Sequence, residues 1–260
     1  MTAGAAAPSP ATLPLAWTPP TGVGAWMSLR AGGVSAAPFD SFNVGERVGD
    51  CPRAVAVNRA RVESLLAARP VWLEQVHGSA VVRLSARDAA GAGPAPRADA
   101  SWTDEPGVAC VIQVADCLPL LLAGRDGRAV AAAHVGWRGL AAGVVEAALT
   151  ALCRGASLAP AELVAWLGPS IGPRRFEVGA DVRAALPDLQ AHFSARPRAD
   201  GPPRWLADLP SMVRARLAAA GVVDVAGGHW CTVEDSVRFF SFRRDGTTGR
   251  MAAAIWRRSC

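Results

Sequence analysis

Two apolar runs flank the turn sequence Gly124-Arg125-Asp126-Gly127, and each ends in a chemically loaded motif. Ala115-Asp116-Cys117-Leu118-Pro119 opens the first run, and Ala133-His134-Val135-Gly136-Trp137-Arg138-Gly139 closes the second. Runs this short, rich in Val, Leu and Ala and bounded by glycines, read as strands joined in a hairpin. Loop length then decides what the sheet presents. A two-residue loop centred on Arg125-Asp126, or a four-residue loop from Gly124 to Gly127, sets Cys117 directly opposite His134, with Cα atoms roughly 4.5–5.5 Å apart. A three-residue loop would turn the two side chains to opposite faces. The even loops place a thiol beside an imidazole, and such a pair can share a metal or work as nucleophile and base.

At 260 residues the chain suits an α/β domain with a sizeable core, and no repeat or linker interrupts it. Val23 to Leu29 reads as a strand and Gly32 to Gly49 as a punctuated loop. Asp50 reads as the cap of a helix with Pro52 in its first turn, running to Arg69. Val71 to Leu84 reads as two strands broken at His77-Gly78-Ser79, and Ala86 to Arg97 as a loop. Three strands are expected at Val108 to Ala115, Cys117 to Ala123 and Arg128 to Val135. Pro119 has no N–H, which predicts an edge position or a bulge for its strand. Gly139 to Arg154 repeats apolar residues at helical spacing, with Gly155 as its C-cap. Beyond it come a strand at Leu163 to Leu167, helices around Val178 to Leu186 and Trp205 to Ala220, and strands at Val222 to Val225, Arg238 to Phe242 and Met251 to Trp256. Hairpins outnumber βαβ units, which predicts an α/β (α+β) fold, a single domain of mixed β-sheets covered by helices. Residues 1–20 are expected as a disordered N-terminal tail ahead of a catalytic domain at 21–260.

Composition removes several chemistries. All 27 basic residues are Arg and there is no Tyr, so a Lys Schiff base, a Lys-containing P-loop and a Tyr acid are excluded. The net charge of +5 is carried by scattered arginines with no basic stripe, which argues against a nucleic-acid partner. No apolar run is long enough to cross a membrane. Six cysteines without a C-x-x-C pair read as free thiols, and a cytoplasmic location is expected. Four histidines, at 77, 134, 192 and 229, are too few for a multicopper cluster.

His77, in Glu74-Gln75-Val76-His77-Gly78 at a predicted strand end, completes a Cys/His/His set with Cys117 and His134. Three protein ligands with a fourth position open are the pattern of a catalytic Zn²⁺ site, for which Cu²⁺ would compete. The metal-free alternative makes Cys117 a nucleophile and His134 its base. Asp116 faces away in a regular strand and reaches the site, for proton transfer, only through a bulge or a strand end. The glycines after His134 predict a strand-to-helix turn where backbone N–H groups and the Arg138 fork hold an anion. Arg243-Arg244-Asp245-Gly246 is a second basic cluster. His192 is expected to be exposed, and His229 has no comparable context.

These motifs resemble the YfiH family, long labelled laccase-domain or polyphenol oxidase proteins. The resemblance runs from Val23 to Trp256 through Ser41-Phe42-Asn43-Val44-Gly45, Gln75-Val76-His77-Gly78, Ala98-Asp99-Ala100 and the two motifs above. It continues through Leu167-Gly168-Pro169-Ser170-Ile171-Gly172, Cys231-Thr232, Phe240-Ser241-Phe242-Arg243-Arg244-Asp245 and Thr248-Gly249-Arg250. Phe242 and Phe176 depart from the Tyr or His, and the Tyr, that the family often has there. The resemblance implies a four-layer α/β/β/α fold related to cysteine-dependent toxin deamidases, and zinc held by His77, Cys117 and His134. It also implies phosphorolysis of adenosine, inosine, guanosine or methylthioadenosine, and deamination of adenosine, with purine nucleosides and inorganic phosphate as partners. The catalytic candidates are Cys117, His134, His77 and Asp116, and the substrate-binding candidates are Asn43, Gln75, Arg138 and Arg244. Two other readings stand beside this one. One is a Cys117/His134 thiol hydrolase or amidase acting on a peptide or peptidoglycan precursor, and the other a non-catalytic, metal-bound nucleoside sensor.

Overall fold

The computed structural model describes residues 10–259. From the N-terminus its elements are β1 (Val23–Met27), α1 (Pro52–Leu65), β2 (Arg69–Trp72), β3 (Val81–Arg83), α2 (Ala86–Ala89), β4 (Ala100–Thr103) and β5 (Val108–Val114). Then follow β6 (Leu118–Gly124), β7 (Val130–Val135), α3 (Trp137–Ala141), α4 (Val144–Ala156), β8 (Leu163–Leu167), β9 (Glu177–Val178) and α5 (Ala180–Ala184). The last are β10 (Phe193–Arg196), β11 (Arg204–Ala207), α6 (Leu209–Ala219), β12 (Asp224–Gly227), α7 (Phe242–Asp245) and β13 (Met251–Arg257).

Two mixed sheets form the centre, one ordered β12-β8-β6-β7-β4-β3 and the other β1-β13-β5-β2, with a small sheet β10-β11-β9 at the side. Period-two alternation along the strands divides the apolar residues between layers. Cys110, Ile112 and Val114 of β5 and Met251, Ala253 and Ile255 of β13 meet Leu121, Ala123, Val130 and Ala132 of the larger sheet. Their alternates face outward. Leu118, Leu120 and Leu122 pack under α4 and α6, while Val111, Ala252 and Ala254 pack against Val62 of α1. The order is helix, sheet, sheet, helix. Each fully buried Leu or Val in these layers contributes about 1.5–3 kcal/mol relative to exposure.

The β6–β7 hairpin forms, but one residue later than expected. Its loop is Arg125 to Arg128: Gly124 donates to Ala129 O at 3.0 Å, and Gly127 donates to Gly124 O at 2.8 Å. Gly127 sits at φ +73° and the Asp126 carboxylate accepts the Arg128 N–H at 3.0 Å, which fixes the turn there. Pro119 therefore pairs with His134 and Leu118 with Val135, so Cys117 is not directly opposite His134. The slip is two residues, an even number, so both side chains keep the same face.

Pro119 lies in a central strand, between β7 and β8, rather than at an edge. Its carbonyl accepts from Gly168 N at 2.9 Å, and its missing N–H falls one residue beyond the last β6–β8 pair, Leu120↔Leu167, where the ladder has already ended. The first helix ends at Leu65, and its cap position is Cys51. Asp50 instead accepts from Asn43 Nδ2 at 2.8 Å. The helix expected over Gly139 to Arg154 is two helices, broken where Gly143 adopts φ +84°. Gly155 lies inside α4, where a Cβ would come within 2.0 Å of the Trp102 ring, and Ser157 at φ +53° supplies the C-cap. The segment Arg238 to Phe242 is a turn leading into α7, with no strand, because its side chains bond locally: Asp235 accepts the Arg238 N–H at 3.0 Å. The expected tail is corrected from Ala11 onward. Leu13 is buried and donates to Met27 O at 2.9 Å, and Leu15 O accepts the Trp166 indole at 3.0 Å. Residues 1–9 lie outside the described residues.

Candidate active site

His134 is the penultimate residue of β7, on the face between the two sheets, and it is buried. Its Nδ1 lies 2.9 Å from Asp99 Oδ1, immediately before β4. Asp99 is fully buried and also accepts the N–H groups of Val76, His77 and Gly78 at 3.1, 2.9 and 2.7 Å. One carboxylate thus aims His134 and anchors the loop that carries His77, which sits at φ +60°. Burial alone would raise the Asp99 pKa, but these donors hold it below the usual carboxylate range.

Cys117 follows Asp116, whose φ of +89° breaks the strand between β5 and β6. Continuing the hairpin register puts Cys117 across from Gly136. The ligand atoms of His77, Cys117 and His134 all lie within 4.8 Å of one another, and the two imidazoles meet edge to face at 4.8 Å. Burial pushes the Cys117 thiol up, but the charge and hydrogen bond of His134, with His77 beside it, bring it down to about 6. His134 responds in the opposite sense. Burial disfavours its cation, yet Cys117 and Asp99 raise it to about 9. Such an arrangement holds either a thiolate–imidazolium pair or, with the proton displaced, a cation bound by one thiolate and two neutral imidazoles. The donor set fits zinc, because His134 already donates its other ring N–H to a carboxylate, as metal-bound histidines do.

Gly136 is required by this packing rather than by its backbone angles, φ −88° and ψ 170°. A Cβ there would lie 2.8 Å from Cys117 Sγ and 3.4 Å from His77 Cδ2. Gly136→Ala is expected to displace the thiol and lower zinc affinity at least about 10-fold. Chelator competition measures this, and an unchanged affinity would show that Cys117 moves aside freely.

The three side chains open into a cavity of about 630 Å³. Its walls include Trp72, Trp137, Phe176 and Phe242, and arginines 138, 243 and 250. Arg138 is exposed, stacks on Trp137 at 4.4 Å and makes no ion pair among the described residues.

Other expected residues lie elsewhere or do other work. Asn43 is fully buried and does not line the cavity. Its amide donates to Asp50 and Gly45 and accepts from Gly45 and Arg250, so no polar atom is left for substrate. Gln75 lines the cavity, but its amide is spent on the Gln113 backbone at 2.8 and 2.9 Å, extending the β2–β5 ladder towards His77. Arg244 is turned away from the cavity, onto the carbonyls of Thr232 and Phe239 and onto Asp245, because these acceptors satisfy its fork locally. Asp116 does reach the cavity through its irregular backbone. Its two oxygens accept the Thr232 hydroxyl at 2.5 Å and the Arg243 N–H at 2.6 Å. His229 stacks on Trp230 at 3.8 Å, and neither it nor His192 joins the His/Cys cluster. Asp99 and Arg250, both inside the sequence blocks above, had no role assignable from spacing.

The family profile described as Multi-copper polyphenol oxidoreductase laccase matches residues 24–258. The chain belongs to this family. Within it, the chain is 50% identical over 244 residues to the purine nucleoside phosphorylase PA4543 of Pseudomonas aeruginosa, covering 92% of this chain and 96% of the relative. It is 47% identical over 242 residues to the purine nucleoside phosphorylase YfiH of Escherichia coli, with the same coverage. Among solved structures, Neisseria meningitidis protein NMB0706 superposes with a TM-score of 0.86 at 42% identity, over 95% of this chain and 99% of that one. The laccase family's multi-copper description outruns the imidazoles of this member. Among the described residues, His77, Cys117 and His134 form the one group of three side chains suited to a metal ion. No helix of the described residues is long and apolar enough to cross a membrane.

Proposed function

We propose that the chain is a zinc-dependent purine nucleoside phosphorylase acting on adenosine, inosine, guanosine and methylthioadenosine, with adenosine deaminase side activity. The observation that carries this reading is the Cys/His/His cluster opening into a cavity that also bears arginines and aromatic walls. Relatives named purine nucleoside phosphorylase at 50% and 47% identity support it. Bound by His77, Cys117 and His134, zinc would supply a Lewis acid with one coordination position facing the cavity. The protein's own groups do the remaining work. Asp99 holds His134 in the tautomer with Nδ1 protonated, leaving Nε2 for the ion. The arginines bind the phosphate that attacks the ribose carbon as the bond to the purine breaks. Trp137, Phe176 and Phe242 offer apolar faces to the nucleoside.

Zinc-loaded protein incubated with inosine is expected to release hypoxanthine and ribose 1-phosphate only when phosphate is present. No turnover of any of the four nucleosides would overturn the reading, while turnover removes the sensor alternative. The thiol-hydrolase alternative draws on one observation, the Cys117–His134–Asp99 chain of contacts. Metal-stripped protein tests it. Because the thiolate form is favoured, iodoacetamide should alkylate Cys117 at a rate that rises with pH through about 6 instead of near 9. Zinc should protect the thiol, and nucleoside turnover should vanish with the metal. A stripped protein that keeps full activity until alkylated would favour the hydrolase.

A further inference from the structure

The cavity's five arginines divide by what neutralises them. Arg47 pairs with Glu74 at 2.7 Å, and Arg59 pairs with Glu46. Arg138, Arg243 and Arg250 have no carboxylate at ion-pair distance among the described residues, and they line the same cavity as the metal ligands. Arg138 is exposed and rests on the Trp137 ring, and Arg243, also exposed, is tethered through Nη1 to Glu177 O at 2.8 Å, so both keep mobile donors that must be ordered when they bind an anion.

Arg250 is already held. Its backbone N–H donates to Asn43 Oδ1 at 2.8 Å, and Asn43 is itself clamped by Asp50. Its Nη1 donates to the carbonyls of Thr248 and Gly249 at 2.8 and 3.0 Å. The stem packs on Gly45, where a Cβ would come within 2.7 Å of Arg250 Cγ, and the guanidinium lies 5.9 Å from the Phe242 ring centroid. Nε and Nη2 carry no hydrogen bond among the described residues. Burial lowers the pKa of this arginine, against the opposing charges of Cys117 and Asp116. A guanidinium fixed from behind, unneutralised and with free donors facing a cavity is pre-organised for an oxyanion, and its planar fork matches two oxygens of a phosphate.

We propose that Arg250 is the fixed cation of the phosphate subsite, holding inorganic phosphate beside the Cys/His/His cluster while Arg138 and Arg243 close on it. This rests on the phosphorylase reading. It also gives buried Asn43 a task, since Asn43 positions Arg250 without touching substrate.

The test uses the full zinc-loaded protein with Arg250→Gln and Arg250→Lys. Phosphate is the probe, in steady-state phosphorolysis of inosine and in calorimetric binding titrations. R250Q is expected to raise both the phosphate KM and the phosphate Kd about 10–100-fold, the loss of a charge-assisted pair. R250K should recover part of that loss, because it keeps the charge without the fork. The inosine KM should stay within about threefold and zinc content should be unchanged. A phosphate Kd equal to wild type in both variants overturns the proposal, as does an increase confined to the inosine KM. If R250Q fails to fold or to hold zinc, R250K decides, since a phosphate Kd unaltered by Lys overturns it. Should the wild type bind phosphate but turn over no nucleoside, the phosphorylase reading fails while loss of phosphate binding in R250Q still sustains the anion site.

Discussion

Replacing Cys117 with alanine should strip the protein of zinc and abolish nucleoside phosphorolysis. The thiolate is the only anionic donor in the cluster, and its Sγ lies within 4.8 Å of the ligand nitrogens of His77 and His134. Two imidazoles alone leave zinc short of the three protein ligands of a catalytic site. Losing a partner that merely supports a ligand costs 10–100-fold in metal affinity, so loss of a ligand should exceed about 100-fold. The fold should survive, because Cys117 is half-buried and lies outside the strands, between β5 and β6. Zinc content by mass spectrometry and the inosine assay read this prediction together with a melting curve. Stoichiometric zinc in Cys117→Ala would remove the thiol from the ligand set.

The second large effect belongs to Asp99. Its carboxylate accepts the N–H groups of Val76, His77 and Gly78 and the His134 ring, in a fully buried position. Asp99→Ala leaves those donors without a partner, and breaking a buried charged network of this kind costs about 3–5 kcal/mol. For a chain of this size that corresponds to a Tm lower by about 10 °C. Asp99→Asn keeps the volume but must turn an NH₂ towards backbone donors, so it should be destabilised as well. Both variants should lose about 10–100-fold in zinc affinity, because His134 is no longer aimed and the His77 loop is no longer anchored. The pH dependence has a definite sign. The folded-state pKa of Asp99 is lowered, so its stabilisation is complete above the unfolded value of about 3.9 and is lost as pH falls through the folded value. The variants should therefore show a flatter acid limb in Tm against pH. A Tm and zinc affinity equal to wild type in Asp99→Ala would show that the loop and His134 are held by other contacts.

Much of the site was legible in the residues, for reasons that differ from one residue to the next. The pairing of Cys117 with His134 rested on an exact register that the turn then displaced, because the Asp126 carboxylate and Gly127 set the loop one residue later. The conclusion about the shared face survived, since strand side chains repeat every two residues and the displacement was even. Pro119 misled in the other direction. A missing N–H matters only where a partner carbonyl waits for it, and Pro119 stands one residue past the last β6–β8 pair, so a central strand tolerates it. Asn43 and Arg244 stood as substrate-binding candidates because they lie in blocks that resemble the family, yet their polar groups are engaged by the protein itself.

The sequence by itself determined the chemistry available. One thiol and two imidazoles stand near predicted strand ends, Lys and Tyr are absent, and the strands alternate so that Cys117 and His134 share a face. Those properties are local, carried by residue type and by the period of a strand. Only the tertiary structure decided which groups support them. Asp99 reaches His134 from 35 positions away and Asn43 meets Arg250 across 207, and each contact exists because separate strands and loops pack into one sandwich. No periodicity records a hydrogen bond between chain segments that far apart, and so the supporting carboxylate and the fixed cation emerge only once the sheets are stacked.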